Sequence, residues 1–330
     1  MRPDQSLIEH VLEQLHEYGV QISPNKPTKE LLPGEVLNAD ISHARGSTET
    51  QLVYLATGTL TEYYQLRTPI SKDSRDVTVL AEYMNERSAS AFRNLGIQYL
   101  DASGNAYFDF PGVHLDIRGR QPSESSFSPR TDAVAPINLL SPRRAQVVFA
   151  LLCWPTLIQQ PVRRIARAAG VSTGTAQATI KELENSGYVV GSALTHGDEL
   201  LDMWLAAYST GLGTKLSLAQ LEGEISNFGT SPGDDELLLG GESAVTRWIK
   251  PTTLVLYTPK FDPTVAIRHR WKAGRSPNIY IRRAFWENPT DLAPRQTPLL
   301  LTYADLLASR EPRQREVARL LEQDVRSIVH

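Results

Sequence analysis

Apolar positions change their spacing several times along the chain, and each change marks a different kind of element. Leu7, Ile8, Val11, Leu12 and Leu15 fall on one helical stripe. A loop containing proline and glycine follows, Pro24–Gly34. Short runs then predict strands at Gln51–Ala56 and Thr61–Leu66, separated by Thr57–Gly58–Thr59. Val77–Ala81 reads as a buried strand and Glu86–Leu95 as a short helix closed by Gly96. Ile97–Leu100, Ala106–Phe110 and Val113–Ile117 complete the series, with turns at Ala102–Asn105 and Pro111–Gly112. Together these predict an N-terminal α/β domain over residues 1–120. From Arg118 to Ser141 the chain is rich in serine and proline and has no period, which predicts a linker centred on residues 121–140.

The period then becomes helical. Ser141–Pro142 supplies an N-cap and a first-turn proline, and Val147, Val148, Leu151 and Leu152 give one apolar face that ends at Pro155. A second helix opens near Pro161–Val162 and carries Ile165, Ala166 and Ala169 inward. Gly170–Val171–Ser172 reads as a tight turn in which Gly170 takes the left-handed conformation and Ser172 caps the next helix. That helix, Thr173–Asn185, is expected to bury Ala176, Ile180 and Leu183, and Tyr188–Val190 to start a hairpin with its tip at Gly191–Ser192. Helix, turn, helix and short strand is the layout of a winged helix-turn-helix, here over residues 141–197. Residues 198–330 are expected to form a C-terminal α/β domain. Its strands are Glu236–Leu239, Thr253–Tyr257 and Asn278–Ile281, and its helices Glu199–Tyr208 and Arg313–Ile328. The fold class expected overall is α+β and multidomain.

Charge sharpens this division. The whole chain carries a net charge of −3, which argues against a generic nucleic-acid coat. Between Ser141 and Thr195, however, Arg143, Arg144, Arg163, Arg164, Arg167 and Lys181 face only Glu182 and Glu184. A local basic module in an acidic protein is an electrostatic footprint for DNA. The outward positions Thr173, Thr175, Gln177, Ala178 and Lys181 suit a major groove. Glutamine pairs with adenine, threonine and alanine touch a thymine methyl, and lysine reaches phosphate or guanine. Arg163, Arg164 and Arg167 on the preceding helix are candidates for phosphate contacts, with Ser172 at the helix start. The alternatives for the same residues are a helical hairpin with a solvated charged face and a wing-type domain that binds a protein instead of DNA.

Two further candidate sites compete with this reading. The N-terminal strand pattern hints at a restriction-endonuclease-like fold, in which Asp101 and Asp116, with Glu82, would hold a metal ion. Arg118 would stand where such a site needs a lysine, and a guanidinium stays charged and cannot act as a base. A degenerate fold, with Asp101 only capping the Ala102–Asn105 turn, is the expected outcome. The second is the basic stretch Arg247–Phe285, with Trp248, Tyr257, Phe261, Trp271 and Tyr280 interleaved. It could serve as a stacking and phosphate surface or as an interface for an acidic partner, or simply as a core with solvated charges. No phosphate loop occurs, the histidines are scattered, the single Cys153 excludes a disulfide framework, and Gly241–Val245 lacks the last glycine of a nucleophile elbow. No catalytic residue, metal site or cofactor is therefore expected. Without an apolar leader or a run long enough to span a bilayer, the expected location is cytoplasmic.

Four segments in order carry a family resemblance: PVRRIARAAGVSTGTAQATIKELENSGYVVG, ELLDMWLAAYSTGLGTKLSL, LLLGGESAVTRWIKPTTLVLYT and PLLLTYADLLASREPRQREVARLLEQ. The chain resembles the AbiEi-type antitoxin regulators of type IV toxin–antitoxin systems, from about Ser141 to its C-terminus and more faintly over Val77–Arg118. The resemblance implies a winged-helix repressor of an operon with a C-terminal domain that neutralises a toxin. The chain departs from that pattern in carrying an α/β segment ahead of the winged helix, as a plasmid or phage regulator without a toxin could. The expected function is sequence-specific repression, with double-stranded DNA as partner, a homodimer matching a two-fold operator, and a toxin as a possible second partner. The alternatives are a metal-dependent nuclease acting through the N-terminal domain and an antitoxin acting mainly through its C-terminal domain.

Overall fold

The computed structural model describes residues 15–25, 34–56, 58–64, 66, 76–120, 139–229, 233–289, 296–309 and 311–329. The apolar stripe at Leu7–Leu12, most of the Pro24–Gly34 loop and most of the linker lie outside the described residues. The chain divides into two compact units, Met1–Ile137 and Asn138–His330.

The first unit is built on a seven-stranded mixed sheet whose strands lie in chain order. They are β1 (Gln21–Pro24), β2 (Val36–His43), β3 (Gly46–Leu55), β4 (Val77–Ala81), β5 (Gln98–Asp101), β6 (Ala106–Phe110) and β7 (Val113–Ile117). The β3–β4 and β4–β5 pairs are parallel and the others antiparallel. Parallel neighbours need crossovers, and α1 (Leu60–Tyr64) and α2 (Glu86–Asn94) lie in those two connections. All five residues of β4 are buried, as a central parallel strand covered on both faces requires. One face packs Leu15, Val20, Ile41, Tyr54, Leu80, Leu100, Phe108 and Phe110 into a core. On α2, Phe92 stacks edge-on against Tyr63 and lies beside Tyr99.

Two expectations are corrected here. Thr61–Leu66 does not form a strand: Leu60–Tyr64 is helical. The Thr59 hydroxyl accepts from the Glu62 amide at 3.2 Å, while the Glu62 carboxylate accepts from the Ala56 amide at 2.7 Å. A Thr-x-x-Glu start of this kind satisfies first-turn donors locally and outweighs the alternation of the side chains. The strand expected at Gln51–Ala56 begins earlier, at Gly46, because its residues Gly46–Val53 pair with β2, which the apolar pattern did not reveal.

The second unit opens with α3 (Pro142–Cys153), α4 (Val162–Ala168) and α5 (Thr173–Asn185), followed by the two-stranded hairpin of β8 (Val189–Val190) and β9 (Ala193–Leu194). Next come α6 (Gly197–Tyr208), α7 (Leu212–Lys215), β10 (Ser217–Leu221), β11 (Leu238–Gly240), β12 (Leu254–Thr258), α8 (Pro263–Arg268), β13 (Ile279–Arg283), α9 (Leu299–Ala308) and α10 (Pro312–Ile328). A four-stranded sheet runs β10-β13-β12-β11, with β12 and β13 parallel. Strands were expected to begin at Glu236, Thr253 and Asn278; the first of these regions instead starts with a 3₁₀ turn, Asp234–Glu236. The architecture is thus mixed α+β: a large mixed sheet first, then helices with small sheets.

A buried polar cluster joins the small sheet to α9. Asp305 accepts from the Tyr208 hydroxyl at 2.8 Å and the Tyr257 hydroxyl at 2.9 Å, and is ion-paired with Arg282. A carboxylate at 7% exposure needs all of these partners. Asp305→Ala would leave the half-buried Arg282 without its acid and two buried hydroxyls without their acceptor, and should cost the second unit about 2–4 kcal/mol in urea denaturation.

Candidate nucleic-acid interface

The joint between α4 and α5 is built by local hydrogen bonding. α4 ends in a turn in which the Gly170 amide donates to the Arg167 carbonyl at 3.1 Å and the Val171 amide to the Ala166 carbonyl at 3.0 Å. Gly170 sits at φ +61°, the left-handed conformation such an ending demands. A second constraint also acts there: a Cβ on Gly170 would lie 1.9 Å from the Phe285 carbonyl oxygen. Ser172 then caps α5, its hydroxyl accepting from the Thr175 amide at 3.2 Å.

α5 has a buried and an open side. Ala176, Thr179 and Leu183 are buried, whereas Ile180, expected inside, is only half-buried. Thr179 takes the inward place because its hydroxyl is satisfied by the Thr175 carbonyl at 2.7 Å and carries no desolvation cost. Thr173, Gln177, Ala178 and Lys181 are exposed and share the open side. Thr175 is half-buried, and its hydroxyl lies 2.9 Å from that of Ser172, so both of these candidates also hold the helix start together. Ser141 occupies the N-cap position of α3 without a side-chain cap bond, so the first-turn proline sets that start.

Arg163, Arg164 and Arg167 are all exposed on α4. Among the described residues Arg163 and Arg164 have no acidic partner. Arg167 does: its Nε donates to the Glu287 carboxylate at 2.7 Å, and a second arm of the guanidinium pairs with the other carboxylate oxygen. Glu287 is 120 positions away in sequence, and no pattern within either segment points to the pair.

The other candidate residues are engaged elsewhere. Asp101 is fully buried and accepts from the Met84, Ser103 and Asn105 amides and from the Asn105 side chain. Burial pushes its carboxyl up, and those donors pull it back. It organises the Ala102–Asn105 turn. Asp116 is held by Arg118 and Arg93, and the hydrogen bond from Arg118 keeps its carboxyl below the usual range. Among the described residues no group of three or more His, Cys, Asp or Glu is placed to hold a metal ion. Ser243 is committed to the backbone, donating to the Thr253 carbonyl and accepting from the Val255 amide. In the basic stretch Tyr257 and Trp271 are core residues, and Arg268 and Arg282 pair with Asp234 and Asp305. Phe261 and Tyr280 are half-buried, and Trp248 is 44% exposed beneath the Arg247 guanidinium. No helix of the described residues is long and apolar enough to cross a membrane.

Residues 193–326 match the family model AbiEi_2, described as a transcriptional regulator, AbiEi antitoxin, of type IV toxin–antitoxin systems. The matched segment runs from β9 to the last turns of α10. No curated protein and no solved structure matches the chain.

The turn at Gly170 yields a stability test. Gly170→Ala would place a side chain at positive φ and against a carbonyl, and should cost about 2–3 kcal/mol in urea denaturation. Ser172→Ala should cost about 1 kcal/mol through the lost cap.

Proposed function

We propose, for a chain whose C-terminal region carries the regulator and antitoxin domain of the AbiEi family, that residues 141–197 are a winged helix-turn-helix and that the protein is a sequence-specific transcriptional repressor. The observation that carries this is the pairing of one open helix face with two unneutralised arginines. Thr173, Gln177, Ala178 and Lys181 stand exposed on α5, and Arg163 and Arg164 stand exposed on the helix before it. In this reading α5 enters the major groove, where Gln177 reads an adenine edge and Ala178 and Thr173 meet thymine methyls. Arg163, Arg164 and Lys181 contact phosphates and set the register, and the β8–β9 hairpin is the wing. Repression follows from occupancy of the promoter. Two copies of the chain would match the halves of a two-fold operator.

The span of the family match favours a second role in the same molecule. Residues 193–326 begin after α5, so what the chain shares with the family lies almost wholly outside the proposed DNA reader. That placement supports a C-terminal segment acting on a partner toxin, with DNA reading done by α4 and α5.

Binding to the DNA upstream of the gene, with scrambled competitor and with Mg²⁺ present or chelated, tests the reading. A competitor-resistant shift without cleavage is expected. Gln177→Ala should lose about 1–3 kcal/mol on the operator and relax preference at one base position. Arg164→Ala should weaken operator and scrambled duplex alike and reduce the salt slope by about 0.9. If both variants bind like the parent, α5 is not the reader.

A further inference from the structure

Arg163, Arg164 and Arg167 lie within four positions on α4, so their side chains share one side of a short helix. Like charges so close repel unless an anion lies among them. For Arg167 the anion is internal. Glu287 meets its guanidinium with both carboxylate oxygens, in the forked geometry that arginine also offers to a phosphate. The carboxylate is not there by chance of side-chain reach. The Glu287 amide donates to the Ala168 carbonyl at 3.1 Å, and the Phe285 carbonyl packs against Gly170 too closely to admit a Cβ. Phe285 itself is buried edge-on against Phe149. Backbone and ring contacts therefore fix where the carboxylate stands, while both ends of the pair stay open to water, at 73% exposure for Arg167 and 50% for Glu287.

We infer that Glu287 occupies the seat of a DNA phosphate on Arg167, and that binding DNA exchanges this carboxylate for a phosphate oxygen of the duplex. The inference rests on the reading of α4 and α5 as a DNA reader. It makes Glu287 a positioning residue that limits affinity for the DNA backbone: each encounter must break an ion pair before Arg167 contributes. Arg163 and Arg164, with no such partner among the described residues, make the first contacts.

The test is a salt titration of DNA binding by the full chain, on operator and scrambled duplexes, for the parent, E287Q, R167A, the E287Q/R167A double variant and R164A. E287Q keeps the shape and the backbone anchors and removes only the charge. It should tighten binding to both duplexes about two- to fivefold, the size of an exposed ion pair. Its salt slope should match that of the parent, because Arg167 neutralises the same phosphate in both, whereas R167A should flatten it by about 0.9. In the R167A background the same substitution should have a clearly smaller effect, that of the remaining repulsion between carboxylate and phosphate. Unchanged or weakened binding by E287Q overturns the inference, as does an effect of undiminished size without Arg167, since an acid that only repels the duplex would act that way. R164A separates the two readings. If it weakens binding while E287Q is silent, the DNA reader stands and the phosphate seat falls; if R164A is also silent, the DNA reader itself fails.

Discussion

The second unit depends on what surrounds Phe149. This ring is fully buried in the middle of α3 and meets Trp154 at the end of the same helix, Trp204 on α6, and Phe285 and Trp286 just beyond β13. Aromatic side chains bury the largest apolar areas available, and edge-on packing fixes angles as well as distance. The Trp204 indole also donates to the Ala145 carbonyl at 2.9 Å, which ties α6 to the first turn of α3. One cluster thus holds the helices that present α5 and the strand exit that carries Glu287.

That shared core explains why a turn of three residues is under two constraints. Gly170 must be glycine for the backbone angle that ends α4, and it must also lack a side chain because the Phe285 carbonyl occupies the space. Helices α3 and α4 and the exit of the small sheet therefore meet through packed rings and backbone atoms, with the exposed Arg167–Glu287 ion pair alongside. Rings and backbone contacts place the partners, and the ion pair stands in solvent.

The first unit follows a different logic. Its sheet order repeats its chain order, and its polar residues at the ends of β5 and β7 are used for local structure. Asp101 gathers the amides of the turn that follows it, and Asp116 gathers Arg93 and Arg118. Spacing alone makes two aspartates on nearby strands, β5 and β7, look like a pair of metal ligands. The tertiary structure gives each carboxylate its own set of donors.

Read from residues alone, several features were already determined. The all-apolar run of β4 announces a central strand, and the spacing of Val317, Leu321 and Val325 announces α10, because burial on two faces or on one stripe leaves a direct trace in the order of side chains. The turn of Gly170 and the cap of Ser172 are equally local, and so is the open face of α5. Other features left no such trace. β2 alternates polar and apolar residues too irregularly to stand out, since it borrows its pairing from β3, and Thr61–Leu66 follows a strand-like alternation that its cap overrides. Thr179 replaces Ile180 inside because a backbone carbonyl one turn earlier satisfies its hydroxyl. The pairing of Arg167 with Glu287 belongs to tertiary structure entirely, because it joins residues 120 positions apart that the packing of Phe285 against Phe149 and the backbone contacts beside it bring within reach.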